Sequence, residues 1–236
     1  MTPMKQRIVV LTGAGMSADS GLKTFRDANG LWEGHDVMSV ASPEGFAANP
    51  LLVLDFYNQR RRQLLKARPN AGHIALANLE EYFNVNIITQ NVDDLHERGG
   101  SSQVVHLHGE LLKVRSTGDE NLVLDWHEDL NLGQTCEKGY QLRPHIVWFG
   151  EEVPMLATAA EITATADILL IVGTSMQVYP AAGLVHYAPA DIPIFFIDPR
   201  PAIGASAFPN LKIIADTAAA GVPELAKKLI GRVKAG

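Results

Sequence analysis

The sequence predicts an α/β fold built on an open, doubly wound, mostly parallel sheet, with a small irregular module inserted into it. Three observations carry that expectation. Four short runs, at 8–11, 85–88, 168–172 and 194–197, are β-branched or otherwise apolar except for Asn86, as strands covered on both faces are. Segments of helical periodicity lie between them, and strands that alternate with helices make doubly wound sheets. The length of 236 residues, with 47% hydrophobic and 19% charged, suits a well-filled core that needs no disulfide staples.

Taken in order, Ile8-Val9-Val10-Leu11 is the first strand, and the chain turns at Gly13. Residues 30–50 read as a loop-like excursion. A helix over 50–65 carries Leu51, Leu54, Leu64 and Leu65, with Arg60, Arg61 and Arg62 between them. A second, over 71–83, repeats Ile74, Leu76, Leu79 and Tyr82. After the strand at 85–88, residues 110–142 are polar and show no sustained period, which marks the irregular module. The strands at 168–172 and 194–197 follow. An amphipathic helix over 223–233 ends the chain, with Leu225, Leu229 and Ile230 on one side.

Twenty Lys+Arg against twenty-six Asp+Glu give a formal charge of −6, so no basic field for nucleic acid is expected. The single cysteine, Cys136, forms no intrachain disulfide and offers no cysteine cluster for zinc. No apolar run reaches membrane-spanning length. The first strand turns too soon for a secretory core. The expectation is a soluble cytoplasmic protein with neither nucleic acid nor membrane as a partner.

Directly after the first strand comes Thr12-Gly13-Ala14-Gly15-Met16-Ser17, continuing to Gly21. A strand, a Gly-x-Gly turn and a helix start leave free backbone N–H groups where a pyrophosphate can sit. Read alone, the same residues also suit a plain tight turn.

With Gly21-Leu22-Lys23-Thr24-Phe25-Arg26-Asp27 added, this segment resembles the sirtuin family of NAD-dependent protein deacylases. Four further segments keep that family's order: Thr89-Gln90-Asn91-Val92-Asp93, His106-Leu107-His108-Gly109, Arg143-Pro144-His145-Ile146-Val147-Trp148-Phe149-Gly150-Glu151, and Gly173-Thr174-Ser175-Met176-Gln177-Val178. The likeness runs over about residues 7–230. It implies one catalytic domain with a Rossmann-like sheet, divided into a large NAD-binding lobe (about 1–29, 84–109 and 143–236) and a small lobe (about 30–83 and 110–142).

By resemblance, NAD is the cofactor, held by Gly13, Ala14, Gly15, Ser17, Phe25, Arg26, Trp32, Gln90, Asn91, Asp93, Gly173, Thr174, Ser175 and Ala218. Gln90 and Asn91 would face the ribose and an ordered water, and Asp93 the nicotinamide carboxamide. His108, before Gly109, is the implied catalytic base, together with Asn91 in the catalytic pair, because a neutral imidazole can take a ribose hydroxyl proton. The family's ribose-binding asparagine is missing. Phe196 falls at its position, and Asp198 is the candidate replacement.

Val147, Phe149 and Glu151 are expected to alternate along a strand that pairs, around Gly150, with an extended acyl-lysine peptide. Trp148 reads as core. Tyr57 and Arg60, three apart on a helix, share a face. A phenol beside a guanidinium suits a carboxylate, and this spacing resembles the sirtuin subgroup that removes succinyl and malonyl groups. His145 fits that subgroup too.

Most sirtuins carry two Cys-x-x-Cys pairs where this sequence has only Cys136, with Ser116 at the first cysteine position. No four-ligand set exists, so the module is expected to fold without zinc or another metal, on Leu122, Leu124, Trp126 and Leu130. The implied function is NAD-dependent deacylation of lysines bearing succinyl, malonyl and also acetyl groups. The alternatives are a mono-ADP-ribosyltransferase, disfavoured by Tyr57/Arg60 and His108-Gly109, and a non-catalytic NAD or ADP-ribose sensor, disfavoured by intact Gln90, Asn91, Asp93 and His108.

Overall fold

The protein is described by a computed structural model over residues 5–23, 31–32, 34–204 and 206–235. β1 (Arg7–Thr12) leads through short 3-10 turns to a ribbon of β2 (Leu31–Trp32) and β3 (His35–Asp36). Helices α1 (Val37–Val40), α2 (Pro43–Ala48), α3 (Pro50–Lys66) and α4 (Ala71–Leu79) follow. Next come β4 (Asn84–Thr89), α5 (Leu95–Arg98), β5 (Val104–His106), β6 (Gly109–Ser116), β7 (Val123–Asp125) and β8 (Leu142–Ile146). The chain closes with α6 (Leu156–Thr163), β9 (Ile168–Val172), β10 (Ile194–Ile197), β11 (Leu211–Ile214) and α7 (Ala218–Ala235).

The four predicted strands lie in one parallel sheet of order β5-β4-β1-β9-β10-β11. Counted among themselves along the chain, its strands run 3-2-1-4-5-6, the Rossmann order. The order reverses between β1 and β9, so the switch point, where such sheets bind ligands, lies beyond Thr12 and Val172. β1 shows why the apolar runs lack polar alternation. Ile8 and Val10 enter one core, with Leu76, Leu79, Leu225 and Leu229 of α4 and α7. Val9 and Leu11 enter the other, with Leu169, Ile171, Leu184 and Phe196. Both faces are dry, so both alternating sets must be apolar.

Because Leu76 and Leu79 cover the sheet, α4 packs with the large lobe, although the sequence division placed 71–83 in the small one.

The structure corrects several local expectations. Residues 30–50 are not plain loop. Asp36 accepts from the Ser39 N–H to start α1, and Ser42 accepts from the Gly45 N–H to start α2. Asn49 caps α3, whose buried face is Val53, Leu54, Phe56, Tyr57, Asn58, Arg61 and Leu64 rather than one containing Leu51 and Leu65, which are exposed. Residues 110–142 are not wholly irregular but supply most of an antiparallel sheet of order β7-β6-β8. The hidden residues Val114 and Leu142 of this sheet, with Leu130 and Cys136 of the loop between β7 and β8, join Leu54 of α3, and Leu124, expected in that core, is exposed. A half-wet sheet this small gives too short a pattern to read from sequence. α7 begins at Ala218, five residues before Pro223. No helix among the described residues is long and apolar enough to cross a membrane.

Candidate active site

Three loops meet at the switch point. The Gly13 N–H donates to Val172 O (3.1 Å) and the Gly15 N–H to Gly173 O (2.8 Å). A Cβ on Gly15 would lie 2.7 Å from the Gly173 Cα, and one on Gly173 would lie 2.3 Å from the Met16 nitrogen. These glycines let the loops after β1 and β9 touch backbone to backbone. That corrects the expected cradle of free amides: Gly13, Gly15, Met16 and Ser17 all spend their N–H groups within the protein. The expected helix start is a pair of three-residue 3-10 turns.

Side chains complete the junction. Ser17 Oγ donates to Asp93 (2.8 Å) and accepts from the Asn91 amide (3.2 Å). Gln90 donates to Thr174 Oγ1 (3.2 Å). Gln90, Asn91 and Asp93 follow β4, Ser17 follows β1 and Thr174 follows β9, so adjacent parallel strands deliver all five to one end of the sheet. Ser17, Asn91, Asp93 and Thr174 are buried, Gln90 half so. Burial raises the Asp93 carboxyl above the usual carboxylate range, against the Ser17 and Leu95 hydrogen bonds, which lower it. Ala14 is half-buried at the rim, and Ser175 is exposed.

His108 lies between β5 and β6. Its Nδ1 is 3.0 Å from the Gln90 carbonyl oxygen. A carbonyl only accepts, so Nδ1 carries the proton and Nε2 is left as the basic nitrogen. Burial lowers the pKa of this imidazole and favours the neutral base, with the Gln90 bond opposing. Gly109 must be glycine: its φ is +80°, and a Cβ there would stand 2.1 Å from the His145 oxygen. His106, unassigned from sequence, contacts the Asn91 carbonyl oxygen (3.2 Å) and Glu97 (2.8 Å).

A second cluster lies in the small lobe. Tyr57 is fully buried, and burial raises its phenol pKa above the usual value despite the Trp148 hydrogen bond and nearby Arg143 and Arg60. Trp148 Nε1 donates to the Tyr57 hydroxyl (2.9 Å). Arg60 sits over the Phe56 ring, 3.6 Å from its centroid, and donates to the Phe56 carbonyl (2.7 Å). Trp32 joins this cluster, edge-on to Phe56 at 4.9 Å and 5.7 Å from the Arg60 guanidinium. Sequence had placed Trp32 with the cofactor. Trp148 is core, as expected, but its polar end has a task the sequence did not expose. The available signal was that buried Trp N–H and Tyr O–H groups need partners.

The strand expected through Val147, Phe149 and Glu151 ends at Ile146. The Val147 N–H turns to His108 O, the Phe149 N–H goes to Ala41 O, and the Glu151 N–H closes a turn onto Trp148 O. Gly150 sits in that turn with φ +90°. Glu151 takes hydrogen bonds from Arg143, Arg115 and the Trp148 N–H, so its carboxylate braces the turn. Phe149 and Gly150 are exposed, Val147 half-buried. The Arg143 guanidinium stacks 3.3 Å from the Trp148 ring centroid. His145 is half-buried, with its pKa lowered first by burial.

Phe25 and Arg26 lie outside the described residues. Phe196 is fully buried in the sheet core, so no polar contact replaces the asparagine there. Asp198, just beyond β10, accepts from the Arg200 N–H (2.8 Å). Ala218 is the buried first residue of α7. In the inserted module the Cys136 thiol donates to Ser116 Oγ (3.3 Å), and Lys138 pairs with Asp119 (2.6 Å). Among the described residues no group of three or more His, Cys, Asp or Glu is placed to hold a metal ion.

A family model described as the Sir2 family matches residues 13–180. A Helicobacter pylori (strain J99) protein named NAD-dependent protein deacylase is 57% identical over 225 residues, covering 95% of this chain and 96% of its own. A protein of the same name from Bacteroides thetaiotaomicron is 51% identical over 232 residues, covering 95% and 98%. The crystal structure of a Sir2 homolog–NAD complex superposes with TM-score 0.87 at 36% identity, over 97% of this chain and 91% of that one.

Proposed function

The chain belongs to the Sir2 family, and from that premise we propose that this NAD-dependent protein deacylase removes succinyl and malonyl groups, and acetyl groups as well, from protein lysines. One observation carries the acidic preference. Tyr57 accepts the Trp148 N–H, and among the described residues its own proton has no acceptor. Arg60 stands one helical turn further on, its guanidinium oriented by Phe56. A donor O–H and a cation held beside the Phe56, Trp32 and Trp148 rings would compensate a carboxylate that is otherwise too costly to desolvate.

The site fits NAD at the switch point, where buried hydroxyl, amide and carboxylate groups from three loops converge. When bound, NAD supplies a ribose carbon that takes the acyl oxygen as nicotinamide leaves, so the acyl group ends as 2′-O-acyl-ADP-ribose. Ser17, Gln90, Thr174 and the Gly13–Gly173 junction are the residues we assign to hold it, with Asp93 for the carboxamide and Asn91 for the ribose side. This prebuilt network costs little reorganisation when charge develops at the ribose. His108, neutral and protonated at Nδ1, presents Nε2 to a ribose hydroxyl and takes its proton, which activates that oxygen. Exposed Phe149 and Gly150, beside Val147, offer main chain to the acyl-lysine peptide.

The test is mass spectrometry of acetyl-, succinyl- and malonyl-lysine peptides after incubation with NAD. The expected products are unmodified peptide, nicotinamide and acyl-ADP-ribose, with the acidic acyl groups leaving faster. A peptide carrying ADP-ribose would point to a transferase instead, and loss of acetyl alone would overturn the acyl assignment.

A further inference from the structure

Two histidines, two residues apart, each reach one of two successive carbonyls. His108 Nδ1 meets the Gln90 oxygen (3.0 Å) and His106 Nδ1 the Asn91 oxygen (3.2 Å). They share a side because i and i+2 on extended chain do. Their other nitrogens differ. His106 Nε2 is 2.8 Å from Glu97 Oε1, and the His106 side chain is only 10% exposed. A carbonyl and a carboxylate both only accept, so His106 satisfies both as the doubly protonated imidazolium.

We propose that His106 is a positioning residue for deacylation: its imidazolium, clamped between Glu97 and the Asn91 carbonyl, fixes the loop that carries Asn91 and Gln90 against Ser17 and His108. This rests on the deacylase reading and adds a residue to it. The Asn91 side chain donates to Ser17, its N–H donates to Thr89 Oγ1 (3.0 Å), and His106 holds its remaining backbone group. Losing the ring proton leaves either the carbonyl or the carboxylate without a donor, and the loop is released.

The groups facing His106 agree with a cation. Burial lowers its pKa, yet the hydrogen bond and charge of Glu97, with Glu110 and the Asn91 carbonyl, raise it in sum. Glu97 comes from α5, and Glu110 from β6, where it also pairs with Lys113 (2.8 Å). The His106 charge favours the carboxylate of Asp93, on the loop itself, and adds to the burial that keeps His96 neutral. His108 moves the other way, and neighbouring groups pushed apart in this manner divide the acid and base roles. Activity then needs His108 neutral and His106 charged, so the pH profile is a bell whose alkaline limb belongs to His106.

The experiment compares wild type with Glu97→Gln, a change at a 42% exposed side chain, by kcat/KM against pH and by NMR titration of the His106 ring without NAD. The alkaline limb and the ring titration should both move down by about 1 pH unit, the low end for removal of a nearby opposite charge, while the acid limb stays in place. An unchanged His106 titration, an unchanged alkaline limb, or an equal loss of activity at every pH would each overturn the proposal. Absence of wild-type turnover would instead count against the deacylase reading, and the ring titration would still decide the clamp.

Discussion

The indole N–H of Trp148 ends on the Tyr57 hydroxyl, 2.9 Å away, and that bond decides which way a buried phenol can act. With its oxygen already accepting, Tyr57 has a proton to give. Arg143, stacked on the indole and paired with Glu151, holds Trp148 in place. Trp148→Phe keeps the ring packing and removes the donor. Desuccinylation should then fall about 2- to 10-fold, the worth of one ordinary hydrogen bond, and deacetylation much less. Parallel steady-state assays on the two peptides check it, and equal losses would mark Trp148 as packing alone.

Arg60→Met keeps the stem over Phe56 and removes the charge. A charge-assisted contact to the acyl carboxylate is worth about 1.5–3 kcal/mol, or roughly 10- to 150-fold in kcat/KM. Desuccinylation should fall by that factor, while deacetylation, which has no carboxylate to lose, changes little. If neither activity falls, the acidic preference is wrong.

His108→Ala removes the base that the Gln90 carbonyl orients. Deacylation should drop at least about 100-fold, whereas calorimetry should still detect NAD binding through the loops after β1, β4 and β9. Near-native turnover would take His108 out of the mechanism.

Acid should destabilise the fold through His73. It is fully buried beside His96, ring centroids 4.9 Å apart, and burial lowers its pKa from 6.5 to about 4. Between those values the unfolded chain binds a proton that the folded chain refuses, so stability is complete above about 6.5 and declines towards pH 4. At 1.36 kcal/mol per pKa unit this amounts to on the order of 3 kcal/mol, with buried His96 lowered in the same sense. His73→Gln keeps an acceptor for the Asn70 N–H in the capping box. Its urea midpoint should depend less steeply on pH over that range than that of wild type.

The inserted module should hold no metal. Cys136 and Ser116 hydrogen-bond to each other, and Lys138–Asp119 joins the same two loops. Elemental analysis of purified protein should find no stoichiometric zinc, and a chelator should leave its melting temperature unchanged. One tightly held zinc per chain would reverse this.

The sequence by itself determined the central strands of the sheet and the segments that follow them. Strands covered on both faces must be apolar along most of their length, so the four central strands stand out. The segments after them carry the Gly, Asn, Asp and His residues that meet at the switch point. Short edge strands such as β11, and the half-wet β6–β8 sheet, give no such signal, because one side of each residue pair is free to be polar.

Only the tertiary structure decided what identical residues do. Arg60, Arg61 and Arg62 read as one charged run, yet they meet three environments. Arg60 stacks on Phe56. Arg61 is buried, donating to the Leu111 and Glu128 carbonyls and to Asn58, with its pKa lowered to about 10 chiefly by burial. Arg62 pairs with Asp129 at the surface. Successive residues on a helix point about 100° apart, so a run of three faces three different neighbours. Likewise Gly13 and Gly15 stand out along the chain, but that Gly173 presses against them follows only from β1 and β9 lying side by side. Local pattern fixes which residues are buried. Which partners they meet depends largely on contacts between residues far apart along the chain, 50 positions for Arg61 and Leu111 and more than a hundred for Gly15 and Gly173.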